Sequence, residues 1–217
     1  MLSMWSAILG SFQPIAEILA VIFILLMVNK NVEDAPLSWP MTVLCFAICG
    51  LLLYAYRGSP EPGFAGWAIA IALCVGFLGW GIWEQRDWLF GTPPEGGYPL
   101  AASGQTIVGN ILIALAEELI FRGWMQSALM AAYVGPGGAA VAIFTVNLVF
   151  MMMHGTRGLV FALSAGFFGM IMSMAVLASG SIWPAAITHA LWNILIGISR
   201  RRAAAAGAAD CSSPQTE

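Results

Sequence analysis

Seven apolar stretches, each close to the length needed to cross a bilayer, leave this chain little choice of fold. They run Phe12–Val28, Met41–Tyr56, Phe64–Trp83, Ile107–Met130, Gly137–Met153, Leu159–Ala178 and Ile182–Ile198. A transmembrane helix needs about 20 predominantly apolar residues, within a range of roughly 17–25. The expected fold is therefore all-α, a polytopic transmembrane helical bundle of about seven spans. Met41–Tyr56 is the shortest stretch, which widens the expectation to about six to eight. Only 9% of the 217 residues are charged, against about 25% in an ordinary soluble domain, so a soluble fold is excluded. The net charge of −3 comes with no basic patch, and no nucleic-acid partner is expected. The N-terminus has neither a basic leader nor a small-residue cleavage pattern, so Phe12–Val28 reads as a retained span rather than a signal peptide.

Lys and Arg placement sets the expected orientation. With seven spans and the C-terminus inside, Lys30, Arg86, Arg157 and Arg200–Arg202 fall on the cytoplasmic side and Arg57 alone falls outside. The expected topology is N-out, C-in, in the plasma (inner) membrane. Three segments read as loops: Asn29–Pro40, Arg57–Gly63 and Glu84–Gly104. The front of the last one mixes charges with Trp83, Trp88, Leu89 and Phe90, which suits a segment at headgroup level. The chain divides into N-terminal helices and loop (1–104), a membrane core (105–198) and a tail (199–217) expected to be disordered. Cys45, Cys49 and Cys74 read as small buried apolar residues, and Cys211 is too far from the end for a prenylation box. Ala165, Gly169 and Ser173, at four-residue spacing, read as a helix-packing stripe.

Glu117 and Glu118 lie side by side in the fourth stretch, with Arg122 one turn later. Each such charge costs roughly 2.5–3.5 kcal/mol at the bilayer centre, so the helix must face the bundle interior or water. At about 100° per residue, Glu118 lies about 40° from Arg122 on the helical wheel, and Glu117 about 140° from it. Glu118 is the expected partner of Arg122, in the favourable acid-before-base order. Glu117 is the less neutralised carboxylate and the candidate base. The two histidines of the chain also fall in apolar spans. His154 follows Asn147 by seven residues, on one face, and His189 precedes Asn193 by one turn. Ser181 and Pro184 mark the start of the last helix. A base that can activate water, with donors for an oxyanion, is what amide hydrolysis requires.

Three segments match a known pattern. Glu117-Glu118-Leu-Ile-Phe-Arg122 fits E-E-x-x-x-R, Phe150-Met-Met-Met-His154 fits F-x-x-x-H, and His189-Ala-Leu-Trp-Asn193 fits H-x-x-x-N. In this order and in successive membrane helices, they resemble the CAAX prenyl endopeptidase type II and bacteriocin-processing family of membrane proteases. The resemblance covers about residues 105–198, and the first three spans match only as generic hydrophobic helices. It implies a glutamate-dependent intramembrane endopeptidase. Glu117 would be the general base on water, assisted by His154; His189 and Asn193 would form the oxyanion site; Glu118 and Arg122 would support it. It also implies metal-free chemistry, and the chain has no H-E-x-x-H pair for zinc. The implied partner is a membrane-anchored protein or peptide substrate, within the lipid bilayer.

Other readings use the same residues differently. A zinc or di-metal protease would recruit Glu117, Glu118, His154 and His189 as ligands. A serine protease would pair His189 with Ser179 or Ser181, which lie at a span start without a nucleophile motif. A proton-coupled transporter uses intramembrane acids and histidines, but no internal repeat is visible here. A non-catalytic immunity or scaffold protein of the same family would keep the fold and not need the chemistry.

Overall fold

The computed structural model describes residues 63–91, 107–133, 135, 137–155 and 158–210. The stretches Phe12–Val28 and Met41–Tyr56, Cys45, Cys49, Cys211, Lys30, Arg57 and Arg157 lie outside the described residues. Among the described residues the fold is all-helical, with no strand. The helices are α1 (Phe64–Glu84), α2 (Arg86–Leu89), α3 (Ile107–Glu118), a π-helical segment (Leu119–Gln126), α4 (Ser127–Ala132), α5 (Gly138–Met153), α6 (Leu159–Ser179) and α7 (Trp183–Asp210). α1 and α6, at 21 residues each, are long and apolar enough to cross a membrane. At 1.5 Å per residue each measures about 31 Å, close to the hydrocarbon thickness of about 30 Å. The 16-residue α5 is shorter and equally apolar.

Polarity is arranged from inside to outside in the sense a lipid solvent requires. Phe64, Val75, Trp83, Leu159, Val160 and Phe167 are exposed, whereas Glu117, Glu118, Arg122 and Gln126 are buried. Exposed apolar area on this scale marks a lipid- or protein-facing surface. Within the bundle α3 packs most extensively on α7, and α6 lies between α1 and α5. Phe77 joins these layers, with ring centroids 5.1 Å from Phe168 and 5.2 Å from Trp192. Gly81 lets Trp192 approach α1 closely, because any Cβ there would run into the indole ring.

The last two long helices meet in a short turn. Gly180, left-handed at φ 60°, ends α6. The Ser181 hydroxyl then accepts the Trp183 N–H at 3.4 Å, and Pro184 occupies the first turn of α7, where a missing N–H costs little. Cys74 is buried, as expected, and its thiol donates to the Pro184 carbonyl at 3.5 Å. The tail departs from expectation. Helix α7 continues through Arg200–Arg202 to Asp210 instead of giving way to disorder at residue 199. The physical reason is the alanine run that follows the arginines, since alanine is the best helix former. The Arg202 guanidinium also donates to the Leu89 carbonyl, tying this extension to α2.

Candidate active site

α3 carries Glu117 and Glu118 on its last turn, and the helix then widens into the π segment that holds Arg122. π-helical widening of this kind sits often at functional sites. The Glu118–Arg122 pair forms as the helical wheel predicts, Arg122 Nη1 donating to Glu118 Oε1 at 3.1 Å, with both side chains fully buried. Glu117 makes no bond to Arg122. Its carboxylate instead faces α7, with Oε2 3.5 Å from His189 Nε2.

His189 is the residue whose placement no spacing foretold. Its Nδ1 lies 2.8 Å from Glu118 Oε1, while Nε2 faces Glu117. Glu118 Oε1 already accepts from a guanidinium, so it is a carboxylate acceptor and the Nδ1–H donates to it. This leaves Nε2 to exchange a proton with Glu117 or to donate to a third group. The imidazole is 5% exposed and wedged against Phe168 at 4.7 Å.

Phe150 is the hub of the remaining contacts. Its ring lies 4.5 Å from the His154 imidazole, 6.3 Å from His189 and 4.6 Å from the Arg122 guanidinium carbon. The first residue of F-x-x-x-H is thus a spacer between the two imidazoles and a cation–π floor for Arg122. His154 itself caps α5, half-buried, with Nδ1 2.8 Å from the Phe150 carbonyl. Asn193 is half-buried one turn beyond His189, and no hydrogen bond to a described residue holds its amide. Among the described residues, no group of three or more His, Cys, Asp or Glu side chains is disposed to hold a metal ion.

The packing stripe on α6 contributes more than close approach. The Ser173 hydroxyl accepts from Asn147 Nδ2 at 3.0 Å, and its carbonyl accepts from Gln126 Nε2 at 3.2 Å. Asn147 Oδ1 in turn accepts from Arg122 Nη2 at 3.2 Å. Gly169 leaves the space these groups occupy: a Cβ there would collide with Asn147 Oδ1 and lie 2.7 Å from Arg122 Nη2. Seven-residue spacing placed Asn147 on the His154 face, but only the fold shows that it serves Arg122.

Residues 99–195 match the sequence profile of the type II CAAX prenyl endopeptidase Rce1-like family. That range contains all three motifs and agrees with the resemblance they carry. Two curated relatives are a chitin synthase export chaperone of Eremothecium gossypii, 30% identical over 109 residues, and one of Saccharomyces cerevisiae, 28% identical over 100. The alignments cover 45% and 46% of this chain and 29% of each relative, so the chain spans less than a third of their length. No solved structure matches.

Proposed function

We propose, from the premise that residues 99–195 are an Rce1-like type II CAAX prenyl endopeptidase region, that this membrane protein is a glutamate-type endopeptidase. It cuts a peptide bond in a membrane-anchored protein or peptide. One observation carries the reading: of two adjacent buried carboxylates, Arg122 neutralises Glu118, while Glu117 is left facing an imidazole nitrogen at 3.5 Å. A purely structural ion pair needs only the first.

In the proposed reaction Glu117, assisted by His154, takes a proton from water. The resulting hydroxide forms a bond to the peptide carbonyl carbon, whose π electrons move to oxygen. Asn193 donates to that oxyanion, and His189 Nε2 joins it by sharing the proton that Glu117 took from water, the role for which preorganised donors are most effective. Collapse breaks the C–N bond, and the proton held on Glu117 passes to the leaving amine. No cofactor is part of this scheme. The proposed setting is the plasma (inner) membrane, with several spans and the C-terminal arginines on the cytoplasmic side.

The test compares the membrane proteome of cells carrying wild type with that of a Glu117→Ala strain. A protein or peptide that accumulates uncut only in the variant supports the reading. The names of the two relatives favour a second reading, in which the same helices bind and escort a membrane protein without cutting it. Full function of Glu117→Ala would decide for that one.

A further inference from the structure

We propose that Asn147 and Ser173, which lie outside the three motifs, are positioning residues that set the protonated nitrogen of His189 through Arg122 and Glu118. The inference rests on the assignment of Glu117 and His189 to the reacting centre. The relay starts on α6 and ends on α7. Both Asn147 amide hydrogens are engaged, by the Ile143 carbonyl at 2.8 Å and the Ser173 hydroxyl at 3.0 Å. The amide therefore presents Oδ1, its acceptor, to Arg122 Nη2 at 3.2 Å. With Nη2 held there, Nη1 meets Glu118 Oε1 at 3.1 Å, and the same oxygen takes the His189 Nδ1–H at 2.8 Å.

Each link fixes the orientation of the next, and all five side chains are buried: Ser173, Arg122 and Glu118 at 0% exposure, Asn147 at 4% and His189 at 5%. Buried bonds of this kind are strong because no water competes for them. The tautomer of a histidine is set by what its second nitrogen bonds. Here that choice reserves Nε2 for Glu117, and Gly169 keeps the passage open for the guanidinium.

The chain has two histidines, so protein labelled with ¹⁵N at histidine and held in lipid nanodiscs gives two sets of imidazole signals. A His154→Gln sample identifies those of His189. Wild type should show His189 with a bonded proton on Nδ1. Asn147→Leu and Gly169→Ala should each replace that signature with a mixture of Nδ1–H and Nε2–H forms, leaving the His154 signals in place. An unchanged His189 spectrum in Asn147→Leu overturns the proposal. If Asn147→Leu does not fold, Gly169→Ala decides in the same way. The readout needs no turnover. A wild-type protein that shows the relay and cleaves nothing counts against the protease reading alone.

Discussion

His189 Nδ1 and Glu118 Oε1 are 2.8 Å apart, although 71 residues of chain separate them. This one bond closes α7 onto α3 and converts the supporting glutamate into the group that orients the histidine. It also divides the labour within the acidic pair, because Glu118 is spent on Arg122 and the His189 Nδ1, while Glu117 faces the other ring nitrogen at 3.5 Å.

Removing the proposed base should abolish cleavage without disturbing insertion. General-base catalysis contributes about 10²–10⁴ in rate, so Glu117→Ala and Glu117→Gln should both fall by at least that factor. The check is processing of an identified substrate in reconstituted vesicles, alongside membrane yield. Wild-type processing by either variant would falsify the mechanism.

Breaking the buried ion pair from one side should be costly. Arg122→Met leaves Glu118 uncompensated, and such changes cost about 3–5 kcal/mol. The double variant Arg122→Met with Glu118→Leu should recover part of that loss in unfolding experiments in detergent, though not activity. A double variant as unstable as the single one would mean that the packing, not the charge, is at stake.

Truncating the aromatic hub should combine a cavity with loss of the spacer between imidazoles. Phe150→Ala is expected to cost about 3–5 kcal/mol, and Phe150→Leu distinctly less. The leucine variant restores bulk without the cation–π floor, so it should remain folded with reduced cleavage. Thermal unfolding measured together with cleavage separates the two effects.

Two glycines of α1 should respond to alanine in opposite senses. At Gly81 a Cβ meets the Trp192 ring, whereas at Gly76 nothing lies within 4 Å. Gly81→Ala should destabilise by about 1–3 kcal/mol through overpacking. Gly76→Ala should be neutral or stabilise by up to about 1 kcal/mol, the helix-propensity gain. Equal melting temperatures for the two variants would contradict the described α1–α7 contact.

Metal removal is the fourth handle on the chemistry. Cleavage should survive exhaustive chelation, since the scheme asks only side chains to move protons. Loss of activity that zinc restores would instead favour the metal-dependent reading.

What the sequence made legible was whatever depends on neighbours along one helix. The described spans and the Glu118–Arg122 pair follow from apolar length and from i, i+4 geometry. The π segment did not follow, because no periodicity in Leu119–Gln126 distinguishes it from an α turn. The double engagement of His189 and the tie from Ser173 to Asn147 were invisible for another reason. They join residues on different helices, and a stripe of small residues has the same spacing whether it serves packing or a hydrogen-bond chain. The helical run to Asp210 is not legible either, because alanines in a polar tail fit disorder and helix alike, and the Arg202 tie to the Leu89 carbonyl lies far off in sequence.

The π turn has a consequence for how this protein can vary. A π segment closes its hydrogen bonds over one more residue than an α turn, so it fixes the azimuth of everything after it relative to Glu117 and Glu118. Deleting one residue between Leu119 and Gln126 would let the segment tighten to α geometry, so Glu117 and Glu118 before it and Gln126 on the Ser173 carbonyl after it should keep their facing. What such a deletion re-aims is the segment itself, Arg122 included. An insertion or deletion, rather than a substitution, is therefore the change that would move the guanidinium while sparing the two ends of the rod.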